Sequence, residues 1–394
     1  MSGPTELLGH IADIGADAVR GGYSRHGFDR AESELRQWFA EQAQRRGLHV
    51  ETDRNGNLWA WWGNPGPDAV VTGSHLDSVP GGGAFDGPLG VASAFSAVDA
   101  LRARGFTPQR PLAIVVFAEE EGGRFGVACL GSRLLTGAID ADRARALRDP
   151  DGITLAEAMA TAGLRPDLAG RDGAALNRIG HFVELHVEQG RALETPVGVA
   201  SSILAHGRWR FRFRGQGNHA GATAIDDRQD PMLPAAAFVL AARRAAEAAP
   251  GTRTTIGRLV PNPGGTNAIP SSVDLWLDAR SPHQLRPVVD ELTATADELA
   301  AQEGCSVEVR HESASGHVQF DPQLRDQLAA ALDAPTLGTG AGHDAGLLAP
   351  HTPSGMLFVR NPTGVSHAPE EHAEPDDCAE GAQALAQALE RLAG

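Results

Sequence analysis

The 394-residue sequence has few cysteines, no long apolar run and no excess of positive charge. Its three cysteines, Cys129, Cys305 and Cys378, show no paired spacing, which argues against a disulfide framework and against a thiolate metal site. No segment approaches the roughly 20 apolar residues of a membrane-spanning helix, and residues 1–29 lack a basic start followed by an apolar run. These absences predict a reduced, cytoplasmic protein without a membrane partner.

The charge balance points away from nucleic acid. The chain has 34 basic and 50 acidic side chains, a formal net charge of −16, which disfavours a polyanionic partner unless a local basic patch exists. The four arginines between Arg208 and Arg214 alternate with aromatic residues, a pattern typical of one solvated strand face. We therefore predict no nucleic-acid partner.

Strand and helix patterns alternate in the first part of the chain. Residues 57–62, 69–73 and 112–118 predict strands, and residues 29–46 and 88–104 predict helices. The strand over 112–118 is apolar throughout, as in strands that are buried on both faces. This order predicts an α/β sheet that is at least partly parallel, with ligands gathering at the carboxyl ends of its strands.

The middle of the chain has a different order, β-α-β-β-α-β, which is the ferredoxin-like motif. Its predicted elements cover 208–214, 232–248, 253–260, 273–279, 284–302 and 305–311. A helix over 322–333, a strand over 356–359 and a helix over 376–392 then rejoin the first part. We predict a discontinuous catalytic domain, residues 1–203 and 316–394, and an inserted domain, residues 204–315.

Histidines and carboxylates follow several of the predicted strands. They are His75, Asp77, Asp86, the run Glu119-Glu120-Glu121, His186, Glu188 and, near the C-terminus, His367. A two-metal hydrolytic site needs a bridging carboxylate, about two further ligands per ion, and a water between ions roughly 3.5–4 Å apart. Imidazole and carboxylate ligands suit zinc, manganese, cobalt or nickel. The set predicts a dinuclear metal hydrolase.

Individual roles follow only in part from the residues. His75 ends a strand, and Asp77 is a natural acceptor for its second N–H. Asp86, in a glycine-rich turn, is the predicted bridging ligand. The three adjacent glutamates would repel one another unless cations offset them, and one can ligate while another acts as base. Their spacing leaves open which does which, and it leaves open whether His186 or Glu188 ligates.

An ordered set of motifs extends over nearly the whole chain. They are GSHLDS (73–78), GGGAFDGPLG (81–90), FAEEEGGRFG (117–126), ELHVEQG (184–190), NHAGAT (218–223), TNAIP (266–270), LDAR (277–280), GAGHDA (340–345) and GVSHAPEE (364–371). In these motifs the chain resembles the M20 metallopeptidase and amidohydrolase superfamily, in the branch of L-carbamoylases, ureidopropionases and allantoate amidohydrolases.

The resemblance implies a role for each matching position. His75 and His186 would hold one ion, Asp86 would bridge, and Glu121 with His367 would hold the other. Glu120 would be the general base. It also implies a cis peptide bond after Asp86.

The inserted domain would act as a lid and dimerisation domain, which makes a homodimer the expected assembly. The resemblance implies that His219 stabilises the oxyanion, that Asn267 and Arg280 bind the substrate carboxylate, and that Gln189 and the backbone near Gly342 line the ureido pocket. Residues 228–230 depart from the family, which usually has paired arginines there.

The implied reaction is cleavage of the terminal ureido C–N bond of a small carboxylate, releasing ammonia and carbon dioxide. Allantoate is the first expectation, because the segment over 117–126 is similar to that branch. The alternatives are an N-carbamoyl-L-amino acid hydrolase, a β-ureidopropionase, an M20 peptidase or aminoacylase, and a catalytically silent binding homologue.

Overall fold

The computed structural model describes residues 2–394 and divides them into two compact units. The first unit extends to Ile203 and resumes at Gln319, and the second is Leu204–Val318. The second boundary lies three residues beyond the predicted position. Within the described residues, no helix is long and apolar enough to cross a membrane.

The first unit begins with six strands and seven helices. The strands are β1 His49–Thr52, β2 Leu58–Trp62, β3 Ala69–His75, β4 Leu112–Phe117, β5 Ile179–Val187 and β6 Val197–Ile203. The helices are α1 Pro4–Gly9, α2 Arg30–Arg45, α3 Pro88–Ala103, α4 Leu130–Thr136, α5 Ala141–Arg145, α6 Leu155–Thr161 and α7 Gly173–Leu176. A short 3₁₀ turn covers Pro166–Leu168.

The second unit contains six strands and two long helices among the described residues. They are β7 Ala205–Arg214, β8 Asn218–His219, α8 Met232–Ala248, β9 Arg253–Asn262, β10 Ala268–Ile269, β11 Ser272–Ser281, α9 Arg286–Gln302 and β12 Ser306–Ser315, with a 3₁₀ turn at Ile225–Asp227. Strands pair antiparallel in the order β12-β7-β11-β9, so the predicted β-α-β-β-α-β order is confirmed.

The chain then returns to the first unit. The remaining elements are β13 Val318–Gln319, α10 Pro322–Leu332, β14 Thr336–Thr339, α11 Asp344–Leu348, β15 Ser354–Val359 and α12 Pro375–Ala393. They complete a nine-stranded mixed sheet in the order β1-β2-β4-β3-β5-β15-β6-β13, with β14 paired to β6. The predicted α/β class with a mixed sheet and an inserted antiparallel domain is confirmed.

Four neighbouring strands of the large sheet, β4, β3, β5 and β15, run parallel. Their carboxyl ends therefore meet at one edge, where ligands of such sheets gather. The apolar sequence of β4 is buried along its whole length, as its lack of alternation predicts. Helix α3, with Pro88 in its first turn, packs against α12 and against β3 and β5. This packing holds the strand ends in place.

The alternating arginines of β7 lie opposite its buried aromatic residues. Phe211 and Phe213 are fully buried, whereas Arg210 and Arg212 both pair with Asp274 at 2.7 Å. The arginine face is therefore solvated and matched by carboxylates of the neighbouring strand, as the alternation predicts.

Candidate metal centre

Two histidines meet at the ends of neighbouring parallel strands. His75 is the last residue of β3 and His186 the last but one of β5, and their Nε2 atoms lie 3.5 Å apart. Each Nδ1 faces a carbonyl oxygen, that of Asp77 at 3.0 Å and that of Val187 at 2.9 Å. Since a carbonyl can only accept, each neutral ring carries its proton on Nδ1. In the neutral form both Nε2 lone pairs are directed toward the same space, as metal ligation requires. Burial lowers the pKa of His186, but the hydrogen bond and charge of Asp86 outweigh it and raise that pKa to about 9, so a metal ion bound at Nε2 of His186 would displace a proton.

Asp86 lies between two histidine groups and directs one oxygen to each. Its Oδ1 is 3.1 Å from Nε2 of His186 and 3.7 Å from Nε2 of His75. Its Oδ2 is 3.4 Å from Nε2 of His367. A carboxylate shared in this way has the geometry of a bridging ligand.

The turn after Asp86 requires glycine. Gly87 has φ +83°, and a Cβ atom added there would lie 2.6 Å from Nε2 of His75. The expected cis bond after Asp86 is wrong: among the described residues the cis peptide is Asn262–Pro263, where proline lowers the cost of the cis form. The positive φ of Gly87 turns the chain instead.

The three glutamates after β4 have different surroundings. Glu119, at φ +52°, directs its carboxylate away from the histidines, where it accepts hydrogen bonds from the amides of Gly27, Arg124 and Phe125. Glu119 therefore stabilises the loop that follows β4. Glu120 and Glu121 remain to face the cluster.

Glu120 and Glu121 approach different histidines. Oε2 of Glu120 is 3.7 Å from Nε2 of His75, while Oε2 of Glu121 is 3.4 Å from Nε2 of His367. The other oxygen of Glu120 accepts a hydrogen bond from Sγ of Cys129 at 3.1 Å. Glu120 is therefore held by one oxygen and directs the other to the cluster.

Asp77 supports the cluster by a different contact from the one predicted. Its carboxylate accepts the backbone N–H groups of Glu120 at 3.1 Å and Glu121 at 3.0 Å. The ring of His75 is bonded to the backbone carbonyl of Asp77 rather than to its carboxylate, which is 3.7 Å away. Two adjacent amides satisfy the buried carboxylate better than one imidazole can.

These contacts form two groups of donor atoms that share Asp86. One contains His75, Asp86 and His186, the other Asp86, Glu121 and His367, and within each group the donor atoms lie within 4.8 Å of one another. The structure thus brings together all five residues predicted as ligands.

The electrostatics of the cluster suit divalent cations. Burial, and then neighbouring carboxylates, raise the pKa of Glu120 and of Glu121 well above the usual range. Burial alone would raise the pKa of Asp86 too, but the hydrogen bond and charge of His186 outweigh it and keep that pKa low. Burial lowers the pKa of His75 to about 4, so its ring is neutral. A neutral imidazole and crowded carboxylates fit metal ions, whose charge would offset the repulsion.

Glu188 and Gln189, which follow β5, lie in different surroundings. The carboxylate of Glu188 accepts the amides of Ala192 and Leu193 and is occupied there, so His186 is the residue of the pair that faces the cluster. The Gln189 amide donates to Oδ2 of Asp86 at 3.0 Å and lies 3.2 Å from Nε2 of His367. Gln189 is therefore at the cluster itself.

Sequence reasoning left His343 and Asp344 without a role. The His343 ring packs on that of His186, with centroids 4.6 Å apart, and burial lowers its pKa well below the usual value. Ser132 donates to the carboxylate of Asp344, which lies with Glu120 and Cys129 in a further acidic group. Gly342 directly precedes these two residues, in the loop before α11. Both residues belong to the motif GAGHDA, which could have indicated from the sequence that they lie at the site.

Glu371 is a residue that sequence reasoning missed. Its Oε1 accepts the amides of Phe85 at 3.2 Å and of Asp86 at 2.9 Å. Burial, followed by the charge of Asp86, raises the pKa of Glu371 to about 7. In the sequence, its position four residues after the predicted ligand His367 indicates that it lies near the site.

In the second unit, His219 lies on β8, opposite Ala268 of β10. Its Nδ1 accepts the amides of Gly221 and Ala222, both at 3.1 Å, so the neutral ring carries its proton on Nε2. His219 is exposed, and it presents an N–H donor to solvent.

The loop of His219 is braced by Arg228, which donates to the carbonyl of Ala220 at 2.7 Å. The carbonyl of Asn267 accepts the amide of Ala220 at 3.0 Å, which places Asn267 beside this loop. Arg280, on β11, pairs with Asp278 at 2.9 Å.

Comparisons with known proteins agree on one family. The family model described as Peptidase family M20/M25/M40 matches residues 71–391. N-carbamoyl-L-amino acid amidohydrolase of Geobacillus stearothermophilus is 37% identical, over 98% of this chain and 97% of that protein. Allantoate amidohydrolase of Bacillus subtilis is 31% identical, over 99% and 97%. The crystal structure of an amidase of the hydantoinase/carbamoylase family from Burkholderia vietnamiensis has a TM-score of 0.90 at 29% identity, covering 99% of this chain and 96% of that chain.

Proposed function

The chain belongs to peptidase family M20/M25/M40, and we propose that within this family it hydrolyses the ureido group of a small carboxylate. The protein is a hydrolase that acts on non-peptide C–N bonds. The observation that carries the proposal is Asp86, whose two oxygens face two separate groups of donor atoms. A metal-bridging carboxylate beside a glutamate that does not bridge is the arrangement such a reaction needs.

Two divalent ions fit the donor set. His75 and His186 would hold one with Asp86, and Glu121 and His367 would hold the other, with zinc or manganese, and also cobalt or nickel, suited to these ligands. When bound, the ions would lower the pKa of a shared water and polarise the ureido carbonyl.

Glu120 is placed to move the proton. Its Oε1 is held by Cys129, while Oε2 faces the ligand cluster. A carboxylate in this position can take a proton from the attacking water and deliver it to the leaving nitrogen. The carbamate released would decompose to ammonia and carbon dioxide.

We propose that four further residues bind the substrate, with the backbone near Gly342. His219 would donate Nε2–H to the developing oxyanion, a role that its tautomer allows. Asn267 and Arg280 would bind the carboxylate, Arg280 through its planar guanidinium. Gln189 and the backbone near Gly342 would contact the ureido group.

The choice of substrate is based on sequence similarity to relatives. Identity is higher with the N-carbamoyl-L-amino acid amidohydrolase, at 37%, than with the allantoate amidohydrolase, at 31%. We therefore place N-carbamoyl-L-amino acids first and allantoate second, which reverses the order that the segment over 117–126 favoured. Both substrates carry a ureido group near a carboxylate.

We also propose a homodimer formed through the second unit. Leu233 and Leu240, seven residues apart on α8, are 54% and 61% exposed. Leu259 and Val260 are exposed on β9, which is the edge strand of its sheet. Exposed apolar side chains beside an open edge favour association. Light scattering after gel filtration should give twice the chain mass, and Leu240→Glu should lower it.

The proposed function is tested by ammonia release from manganese-loaded protein. The substrates are an N-carbamoyl-L-amino acid, allantoate, N-carbamoyl-β-alanine, an N-acetyl amino acid and a dipeptide, the last two with amine release as readout. We expect turnover of ureido substrates and poor turnover of the others. Rapid dipeptide cleavage with poor ureido turnover would identify a peptidase instead, and bound metal without turnover of any substrate would indicate a silent homologue.

A further inference from the structure

Glu371 connects two loops that each supply a ligand to the candidate metal centre. It lies four residues after His367 and is buried, with 4% of its surface exposed. Its Oε1 accepts the adjacent amides of Phe85 and Asp86. The same short segment therefore carries one proposed ligand and holds the backbone of another.

The contact is close and leaves little room for movement. A Cβ atom added to Gly83, in the turn that leads to Asp86, would lie 2.7 Å from Cδ of Glu371. A side chain at this position would push the two loops apart, so the glycine permits the approach. The turn of Asp86 is thus shaped around the carboxylate of Glu371.

The negative charge of Glu371 is not needed for its two hydrogen bonds to the backbone amides. A glutamine would offer the same acceptor oxygen without adding a negative charge beside Asp86. The second oxygen, Oε2, is buried and has no hydrogen-bond partner among residues 2–394. A buried carboxylate is costly unless positive charge lies nearby, and cations bound by Asp86 and its neighbours would supply it.

The two candidate ion positions depend on this contact to different degrees. His75 and His186 lie at strand ends, and their rings are fixed by carbonyls of Asp77 and Val187. His367 has φ +56° and lies in the loop that Glu371 joins to the Asp86 turn. The position formed by Asp86, Glu121 and His367 is therefore the one that needs Glu371.

We propose that Glu371 is a positioning residue that sets the spacing between Asp86 and His367 and so determines binding of the second divalent ion. The inference rests on the proposed function, because it requires a two-ion site. Partners that hold ligands in place commonly change metal affinity by about 10–100-fold.

The test is titration of metal-free protein with Mn²⁺ by calorimetry, with bound metal counted by mass spectrometry. We expect wild type to bind two ions per chain, and Glu371→Ala to bind one normally and the second about 10–100-fold more weakly. Glu371→Gln keeps the acceptor, so it should retain most of the second-ion affinity. Glu370→Ala, the exposed neighbour, is the matched control and should resemble wild type.

Wild-type affinity for both ions in Glu371→Ala would overturn the inference, and so would an equal loss of both. If Glu371→Ala does not fold, Gly83→Ala disturbs the same contact from the other loop. Weaker binding of the second ion in that variant supports the proposal, and unchanged binding refutes it. A wild type that binds fewer than two ions would contradict the proposed function itself and would remove this inference with it.

Discussion

Substitution of Gly87 by alanine should lower metal affinity by displacing His75, in addition to lowering stability. Gly87 has φ +83°, and the added Cβ would overlap the ring of His75. The ψ of Gly87, −58°, lies outside the left-handed helical region, in the strained γ-turn region, so an alanine there costs more than the roughly 1–2 kcal/mol of the left-handed region. Gly152 also has φ +83°, but its added Cβ would meet no heavy atom within 4 Å, so Gly152→Ala is a control for an alanine at positive φ without the overlap.

Gly87→Ala should therefore lose more stability than Gly152→Ala, because its Cβ also displaces the His75 ring. We expect its affinity for the first ion to fall about 100-fold, equivalent to about 2.8 kcal/mol. Calorimetric titration gives the affinity, and thermal unfolding of the metal-free proteins gives the stability. Equal metal affinity in Gly87→Ala and Gly152→Ala would refute the assignment of His75 as a ligand.

Three further substitutions test the proposed base, the proposed carboxylate-binding residue and the cap of α2. Glu120→Gln should keep two bound ions and lower kcat by about 10²–10⁴-fold, since it removes the proton acceptor; near-normal ammonia release would exclude Glu120 as the base. Arg280→Ala should raise KM about 10–100-fold with little change in kcat, because a charge-assisted hydrogen bond to the substrate is lost. An unchanged KM would show that Arg280 does not bind the substrate carboxylate. Asp29→Ala removes the N-cap contact to the amide of Glu32 at 2.8 Å and should lower stability by about 1 kcal/mol; altered metal stoichiometry in it would show that the cap does more than hold α2.

The fold was largely predictable because its patterns are local. The buried run over 112–118 and the capped helix after Asp29 each follow from a few neighbouring residues, and the structure has β4 and α2 there. The inserted domain was predictable for the same reason. Phe211 and Phe213 alternate with arginines, which assigns the two faces of β7 before any long-range contact is known.

The roles within the site were less predictable, because long-range hydrogen bonds determine them. Glu119 looks like its two neighbours in sequence, yet the amide of Gly27, 92 residues away, holds its carboxylate outside the cluster. Asp77 bonds to the Glu120 amide, and Glu371 reaches an amide 285 residues away. Such partners are set by how the loops pack, which spacing along the chain does not encode.

We propose above all that hydrolysis of a ureido substrate requires the two-ion site around Asp86. The most direct test is to add Mn²⁺ stepwise to metal-free protein and to follow bound metal and ammonia release from an N-carbamoyl-L-amino acid together. We expect activity to rise as the second ion binds and to be absent in Asp86→Ala. Full ammonia release with fewer than two ions per chain, or from Asp86→Ala, would contradict this proposal.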